Sequence, residues 1–347
     1  MKKTLLILGV VILALGAFVF YIFYSTGFFR EIEPSDARVD MLVKLPGVED
    51  IEVSYEEDFM IFSSDDRAAR RYRRPRQSGL YLFDFKNSKY KELTEQLNFA
   101  FFPHGITMHR LDSAVYRIWA INHAYRKHFI EVFDLYGDSL VHREQLQHPS
   151  MVSPNDIVAL DAERFYFTND HRFTSGTGLL AENYLGLALS NVIYFDGESY
   201  REVADGIAYA NGINFDSKKN LLFVASPRDF LVKVYEKRPE GTLDFVENID
   251  CHTGVDNIEI DTSGTLWIGC HPDLLHFTRY AAGKEKHAPS EIITIDYRSE
   301  GDYEVRAIFE DDGTLISAST VAIPMRFRIF IGSVMDNKVL VIRQPRK

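Results

Sequence analysis

The segment Asn155-Asp156-Ile157 is one of five places where a pair of mostly polar residues precedes an isoleucine. The five copies are EDI (49–51), HGI (104–106), NDI (155–157), NGI (211–213) and DNI (256–258). Successive copies begin 45 to 56 residues apart, and each opens a short run of alternating character. A repeat of this period is typical of propellers and solenoids, in which one unit alone cannot bury its apolar face. The pattern therefore predicts a repeated β-sheet architecture.

The residues between the copies predict further strands. Two short apolar runs follow each copy, and turn-forming pairs such as Asp196-Gly197 and Asp312-Gly313 separate the runs. Thr320-Val321-Ala322 is a degenerate sixth copy. Six units of about four strands each lie within the usual range for propellers. We therefore predict an all-β fold, a six-bladed β-propeller over residues 41–347, with almost no helix inside it.

The N-terminus carries a different signal. Lys2 and Lys3 precede an uncharged apolar run over residues 4–24, which is long enough to cross a bilayer as a helix. Acidic residues follow the run, so the positive flank predicts a cytoplasmic N-terminus and a propeller on the extracytoplasmic side. We predict a transmembrane signal anchor over 1–25 and a polar connector over 26–40. A long cleaved signal peptide is the alternative, and both readings export the body.

Composition limits the classes of partner. The net charge of -11 argues against nucleic acid, and 13% aromatic residues favour strands. Cys251 and Cys270 are the two cysteines, which form neither a disulfide framework nor a CxxC zinc pattern. A single bridge between them and a pair of buried thiols both stay open.

Two segments interrupt the repeat. Residues 65–78 contain six arginines, namely Arg67, Arg70, Arg71, Arg73, Arg74 and Arg76. Such a run predicts a solvated loop, with contact to an anionic lipid or substrate as the alternative. Residues 175–190 are apolar and predict a short amphipathic helix, which either packs into the core or faces a membrane as a flap.

The repeated pairs also carry oxygen donors. In a propeller the innermost strands surround one channel, so residues at matching positions converge on the axis. The converging donors would be Glu49, Asn155, Asn211, Asp256 and Asn257. Carboxylate and amide oxygens suit Ca²⁺, which takes 6–8 of them, and do not suit Zn²⁺. Any single pair could be an ordinary turn, but five pairs in phase favour a cation site.

Histidines lie near the same positions. His104 belongs to the repeat, whereas His123 and His171 end predicted second strands. A lone histidine at a strand end is usually structural, but two beside a cation could act as a proton relay. No G-x-S-x-G segment occurs in the sequence, which argues against serine chemistry.

Eight strings occur in one order along the chain: VEDIEV (48–53), FPHGIT (102–107), SPNDIVAL (153–160), FTNDH (167–171), YLGLALSNVIYF (184–195), YANGIN (209–214), VDNIEID (255–261) and LWIGCHP (266–272). Together they resemble the paraoxonase/arylesterase family of calcium-dependent lactonases. The resemblance spans roughly residues 40–342. It implies a six-bladed propeller with two calcium ions per chain.

The resemblance also implies roles for individual residues. The catalytic calcium would be held by Glu49, Asn155, Asn211, Asp256 and Asn257. A buried structural calcium would be held by Asp50, Asp156 and the backbone carbonyl of Ile106. His104 and His123 correspond to a histidine dyad whose role as general base is disputed in the family. Tyr209 and His271 correspond to residues that line the substrate pocket.

These observations predict a membrane-anchored carboxylic ester hydrolase that acts on lactones and aryl esters. Residues 177–190 correspond to a membrane-associated helix of the family and would add a second membrane contact. Mammalian members join their chain ends by a disulfide, which this sequence cannot form at its ends, so closure must rest on hydrogen bonds. The alternatives are a non-catalytic, calcium-stabilised binding propeller and a propeller like the sugar-lactone hydrolases or strictosidine synthase.

Overall fold

A computed structural model gives the structure of the protein and describes residues 2–69 and 71–344. The elements, in chain order, are α1 (Lys2–Ser25), β1 (Val39–Val43), β2 (Val48–Ser54), β3 (Phe59–Asp65), β4 (Ser78–Asp84), β5 (Lys89–Glu92), β6 (Pro103–Asp112), β7 (Val115–Asn122), β8 (Phe129–Tyr136), β9 (Ser139–Leu146), β10 (Pro154–Ala159), β11 (Phe165–Asn169), α2 (Gly176–Leu185), β12 (Ser190–Phe195) and β13 (Tyr200–Ile207). They continue with β14 (Ile213–Asp216), β15 (Leu221–Ser226), β16 (Leu231–Lys237), β17 (Leu243–Asp250), β18 (Gly254–Ile260), β19 (Leu266–His271), α3 (Leu274–Ala281), β20 (Ser290–Ser299), β21 (Asp302–Asp311), β22 (Ser319–Met325), β23 (Arg328–Ser333) and β24 (Val339–Arg343).

The strands form six antiparallel sheets of four strands, which confirms the predicted six-bladed propeller. Five blades are runs of four consecutive strands, from β2–β5 to β18–β21. The sixth combines β22, β23 and β24 with β1 as its outermost strand. β1 pairs with β24 through Val39–Ile342 to Val43–Val339, so hydrogen bonds between the two chain ends close the ring. β1 begins inside the segment 26–40 that was predicted as a connector.

The polar pairs sit at irregularities of the innermost strands. The ladders β2–β3, β6–β7, β10–β11, β18–β19 and β22–β23 all shift register at the pair or at its degenerate sixth copy. In the fourth blade the pair Asn211-Gly212 comes just before β14. An extra residue in one strand breaks strict alternation and re-aims side chains. The bulges therefore allow both residues of a pair to point toward the central channel, where strict alternation would allow only one.

Apolar side chains fill the spaces between neighbouring blades. Phe62 and Phe83 of the first blade, for example, form one buried cluster with Phe330 of the sixth. The centroids of the Phe83 and Phe330 rings are 5.5 Å apart, and the rings meet edge to face. This packing between blades holds the inner strands side by side around the channel.

Helix α1 has 24 residues and no buried part, and it is long and apolar enough to cross a membrane. It fits a signal anchor. Helix α2 confirms that 175–190 contains a short helix. Helix α3 was not predicted, because eight residues are too few to show a helical period in the sequence. It begins after Asp273, whose side chain accepts a hydrogen bond from the His276 N–H.

The arginine segment 65–78 is not the freely solvated loop that its composition indicates. Arg74 makes two hydrogen bonds to Asp66, and Arg76 makes two to Asp65. Arg71 donates to the carbonyls of Tyr280 and Ala281 at the end of α3. Arg70 lies outside the described residues. The segment is therefore fastened to the blade and to α3 by its own charges.

Candidate active site

A cavity of about 550 Å³ opens at one end of the channel. First members of the repeated pairs line it, namely Glu49, His104, Asn155, Asn211 and Asp256. Tyr209 and His271, predicted as pocket residues, line the same cavity. The structure therefore brings these seven residues together, although they lie in five different blades or the loops between them.

Five side chains with oxygen donors form what we call the pocket ring: Glu49, Asn155, Asn211, Asp256 and Asn257. All five are buried. Four of them present a buried oxygen with no hydrogen-bond partner among the described residues, namely Glu49 Oε2, Asn155 Oδ1, Asn211 Oδ1 and Asn257 Oδ1. A buried polar atom without a partner costs roughly 1–3 kcal/mol. A hard cation such as Ca²⁺ would satisfy all four oxygens, so the residues present fit the predicted ion.

The remaining atoms of the pocket ring are hydrogen-bonded in ways that orient these oxygens. Asn257 Nδ2 donates to Glu49 Oε1 at 3.1 Å and to the Glu49 carbonyl at 2.8 Å. Asp256 Oδ2 lies 2.8 Å from His271 Nε2. Burial raises the pKa of Asp256, although the hydrogen bond and charge of His271 oppose that rise. Burial also opposes ionisation of Glu49, but nearby His104 outweighs it and holds the pKa of Glu49 below its ordinary value.

Asp50 and Asp156, the buried pair, differ from the pocket ring because all four of their carboxylate oxygens accept hydrogen bonds. Asp50 accepts from the N–H groups of Ile51 and Ile106, at 2.8 and 2.7 Å. Asp156 accepts from those of Ile157 and Ile213, both at 2.7 Å. Each carboxylate thus joins its own blade to the next one. Ile106, predicted to offer its carbonyl to a calcium ion, meets Asp50 through its N–H.

The buried pair carries unfavourable charge. Burial raises the pKa of Asp50 well above its ordinary value, and repulsion from Asp156 and Glu49 raises it further. Burial likewise raises the pKa of Asp156. Among residues 2–69 and 71–344, no three His, Cys, Asp or Glu side chains form a metal-binding group. Any cation at the pocket ring would therefore depend on its amide oxygens.

Three histidines form a hydrogen-bonded histidine chain beside the pocket ring. His104 Nδ1 lies 2.8 Å from His123 Nε2, and His123 Nδ1 lies 2.8 Å from His128 Nδ1. His104 Nε2 faces Glu49 Oε1 at 3.3 Å. The structure thus brings the predicted dyad together. His128 was not predicted, although its place five residues after His123 across a turn was a signal that could have identified it.

His171 belongs to a different group. Its Nδ1 lies 2.7 Å from Asp170 Oδ1 and its Nε2 lies 3.0 Å from Asn183 Oδ1 of α2. Its ring meets the Tyr209 ring edge to face at 4.6 Å. Burial opposes charge on His171, but the hydrogen bond and charge of Asp170, together with Asn183 and Glu182, outweigh it and raise the pKa of His171. His171 therefore positions α2 and Tyr209 over the cavity, rather than joining the histidine chain.

The mouth of the cavity lies against the apolar helix. Thr26, which follows α1 directly, lines the cavity, and its carbonyl accepts from the Leu274 N–H at 2.9 Å. Arg228 is buried and donates to three carbonyls, those of Ser25, Asn183 and Tyr184. Those carbonyls belong to the last turns of α1 and α2, which carry partial negative charge. One guanidinium therefore holds both helix ends at the mouth.

Comparison with known proteins identifies relatives along most of the chain. The sequence model of the arylesterase family matches residues 73–341. Serum paraoxonase/arylesterase 1 from Homo sapiens is 36% identical over 239 residues, which are 68% of this chain and 66% of that protein. Serum paraoxonase/arylesterase 2 from Gallus gallus is 32% identical over 264 residues, 74% of each chain. Serum paraoxonase/lactonase 3 from Oryctolagus cuniculus is 30% identical over 330 residues, 92% of each.

Solved structures share the fold at much lower identity. A luciferin-regenerating enzyme matches with a TM-score of 0.56 and 13% identity, over 90% of this chain and 95% of that one. The calcium-binding protein regucalcin from Agrobacterium tumefaciens matches with a TM-score of 0.54 and 10% identity, over 92% and 98%. These likenesses concern the fold alone.

Proposed function

Because the chain belongs to the paraoxonase/arylesterase family, we propose that it is a calcium-dependent hydrolase of lactones and aryl esters. The relatives are named as arylesterases, paraoxonases and a lactonase. The observation that carries the proposal is the set of four buried oxygens in the pocket ring, beside His104, that have no hydrogen-bond partner in the described part of the chain. An open cavity with such donors and a basic group is what the hydrolysis of a small ester requires.

Two calcium sites follow from the residues. The pocket ring would hold one ion, which when bound would act as a Lewis acid toward the carbonyl of the ester. The buried pair would hold the second with the carbonyl of Ile106, where its charge would offset the repulsion that raises the pKa values of Asp50 and Asp156. The buried pair already links blades by hydrogen bonds, so its role is structural.

The histidine chain supplies the base in this proposal. His104 Nε2 would take a proton from a water molecule in the cavity, and the oxygen of that water would attack the ester carbonyl carbon. The bond from the carbonyl carbon to the leaving alkoxide or phenoxide oxygen then breaks. Hydrogen bonding of His104 Nδ1 to His123 Nε2 fixes the orientation of the imidazole. Asp256 and Glu49 are alternative bases, because both line the same cavity.

Tyr209 and His271 would shape the pocket for the substrate. The His271 ring stacks on Phe277 of α3 at 4.1 Å, and its Nδ1 has no partner among the described residues. That nitrogen is available to a polar group of the substrate. The apolar lining from Phe173, Leu179 and Leu275 would favour lipophilic lactones and aryl groups.

We further propose that α1 anchors the propeller in a membrane, with the N-terminus in the cytoplasm and the propeller on the other side. Because Ser25 ends α1 and Thr26 lines the cavity, the mouth would then open near the bilayer surface. Exposed Leu180, Tyr184 and Leu187 lie within 177–190 and would add the second membrane contact. Substrates dissolved in the lipid could reach the cavity directly.

The test is an activity assay on the full chain in detergent, with a panel of lactones and aryl esters. We expect hydrolysis in calcium, its loss in EDTA and its return on adding calcium. Replacing His104 by Gln should lower lactone turnover by about 10²–10⁴-fold if it is the base. Unchanged turnover in H104Q would transfer that role to Asp256 or Glu49. No hydrolysis of any substrate in saturating calcium would favour the non-catalytic binding propeller.

A further inference from the structure

One end of the propeller carries a concentration of positive charge that the proposed reaction does not use. The arginine segment 65–78 has six arginines against two aspartates, and residues 279–287 have one arginine and two lysines against one glutamate. The chain as a whole has a net charge of -11, so this charge is a local exception. We propose that these two loops, which we call the basic rim, bind the anionic headgroups of a lipid bilayer beside the mouth of the cavity. The inference rests on the anchoring role proposed for α1 and not on ester hydrolysis.

Both loops of the basic rim lie at the end of the propeller where the cavity opens. The segment 65–78 joins the end of β3 to the start of β4. The end of β3 pairs with the start of β2, where Glu49 lines the cavity. Residues 279–287 include the last turn of α3, a helix whose first turn also lines the cavity. The two loops touch, because a Cβ at Gly283 would lie 2.9 Å from Arg71 Nε.

Helix α3 connects the basic rim to the end of the apolar helix. At its start the Leu274 N–H donates to the Thr26 carbonyl, directly after α1. At its end the carbonyls of Tyr280 and Ala281 accept hydrogen bonds from Arg71. Eight residues of α-helix span about 12 Å, so the basic rim begins about 12 Å from the end of α1.

The base of the arginine segment is fixed, so its exposed part has a defined place. Asp65 and Asp66 form salt bridges with later arginines of the same segment. Ala68 and Ala69 are buried against the propeller. Arg73, in the exposed part, adopts a left-handed φ of 51°, as in a tight turn. The segment therefore presents its outer residues on a platform that the propeller itself supports.

Three cations of the basic rim lack a carboxylate partner. Arg73, Lys284 and Lys286 are exposed, and none of them forms a salt bridge within residues 2–69 and 71–344. The glutamate of the second loop pairs with Arg279 instead. Tyr72, beside Arg73, is 60% exposed, and tyrosine is enriched where a protein meets the headgroup region. Clustered basic residues next to a membrane bind anionic lipids, so the phosphates of headgroups would supply the missing negative charge.

The arrangement suits an extended surface better than a small soluble anion. The free cations are exposed and belong to two different loops, whereas a site for a small anion requires donors that converge on one point. Helix α1 has no buried part, so it projects from the propeller and would bring this end to the bilayer. A single helix leaves the propeller free to tilt. A second contact about 12 Å away would hold the mouth of the cavity toward the lipid.

The test measures how closely position 72 approaches lipid headgroups in nanodiscs that hold the full chain. Every protein carries Y72W, and the native Trp119 and Trp267 are buried, so they contribute little to quenching at the surface. A nitroxide on the choline headgroup of a tracer lipid is the quencher. In about 0.1 M salt, quenching should be about twofold greater in discs containing phosphatidylglycerol than in discs of phosphatidylcholine alone. In about 1 M salt, which screens the charges, quenching in the two kinds of disc should be equal.

Two double variants locate the effect on the propeller. R73E/K284E reverses two free cations of the basic rim and should remove the gain in quenching. K86E/K218E reverses two exposed lysines in the turns after β4 and β14, at the opposite end of the propeller, and should keep the gain. Both variants change the net charge of the chain equally, so a difference between them reports the place of the charge.

The outcomes separate this inference from the proposed function. Equal quenching in the two kinds of disc at low salt, or a full gain in R73E/K284E, would overturn the basic rim while the anchor and hydrolysis stand. Failure of the full chain to enter either kind of disc would overturn the anchor and the rim together. Calorimetry with inorganic phosphate and the full chain in detergent tests a soluble anion. Phosphate binding that R73E/K284E abolishes, without any gain in phosphatidylglycerol discs, would assign the rim to a soluble anion and contradict the bilayer as its partner.

Discussion

The pocket ring and the buried pair come from the same repeated motif, yet their oxygens are used in opposite ways. In four of the five ring residues, a buried oxygen has no hydrogen-bond partner among residues 2–69 and 71–344. Both carboxylates of the buried pair have every oxygen hydrogen-bonded, each with one bond reaching the next blade. A buried oxygen without a partner costs free energy until a ligand or a water molecule binds it, whereas the paired oxygens hold neighbouring blades together. We therefore infer that the pocket ring serves ligand binding, whereas the buried pair joins neighbouring blades.

The largest effect on stability should come from the buried pair. Asp50→Ala removes the acceptor for the Ile51 and Ile106 N–H groups and leaves both buried. We expect the free energy of unfolding, measured by urea titration in calcium, to fall by about 2–5 kcal/mol. Asp50→Asn, which keeps one acceptor, should lose less. A loss below about 1 kcal/mol for the Ala variant would remove the distinction between the two sets.

Two glycines test each set separately. A Cβ at Gly105 would lie 2.5 Å from Asp156 Oδ1, and a Cβ at Gly212 would lie 2.4 Å from the Asp256 carbonyl oxygen. Either Ala substitution overpacks an inner strand, at a cost of about 1–3 kcal/mol. We expect G105A to weaken the contact that the buried pair makes between blades, and G212A to displace the pocket ring. The affinity of the pocket ring for calcium should therefore fall more in G212A than in G105A. Equal calcium affinity in the two variants would count against the division.

The pH dependence should also differ between the two regions. Burial raises the pKa of Glu52, which follows Asp50 on β2, to about 7, whereas the pKa of Glu49 is lowered. A raised pKa in the folded state contributes stability at low pH that is lost as pH rises from about 4 to about 7.

In EDTA the wild type should therefore lose stability as pH rises from about 4.5 to about 7. E52Q should lose less, by on the order of 1 kcal/mol. E49Q removes a carboxylate whose pKa is lowered, so it should lack the stability that Glu49 contributes above about pH 4.5, and the wild type should lose that advantage over E49Q only as pH falls below this value. Thermal unfolding of the three proteins across this range is the measurement, and an identical pH profile for E52Q and wild type would contradict the assigned burial.

The smallest effect on folding should come from the pocket ring without its ion. The Asn211 side-chain oxygen has no partner among the described residues, so Asn211→Ala in EDTA should change the free energy of unfolding by less than about 1 kcal/mol. In calcium the wild type should gain stability through ligand binding, and N211A should gain less. A large loss for N211A in EDTA would show that the ring is structural.

The fold could be predicted from the sequence because the signal was repeated. Five copies of one motif predicted five blades, and the degenerate copy at Thr320 predicted the sixth. Because the sequence has no cysteine near either end, we expected hydrogen bonds to close the ring of blades. The pairing of β1 with β24 provides those bonds. Helix α3 and the salt bridges of Arg74 and Arg76 could not be predicted, since short helices and ion pairs depend on neighbours distant in sequence.

The residues of the site could be predicted from the sequence, but the hydrogen bonds between them could not. The convergence of Glu49, Asn155, Asn211 and Asp256 follows from blade geometry alone. Which oxygens are paired could not be read from the motif, because the bulges decide where each side chain points. Arg228 could not be predicted because its partners, Ser25 and Asn183, are distant in sequence. His128, by contrast, contacts His123 across a short turn, and that spacing was a signal that could have identified it.

Calcium stoichiometry tests the central claim most directly. The chelated full chain in detergent would be titrated with calcium by isothermal calorimetry, with lactone hydrolysis followed in the same samples. The account predicts two ions per wild-type chain, and one ion per N211A chain, which stays folded but inactive. No calcium binding by the wild type, or full hydrolysis by N211A with only one ion bound, would contradict it.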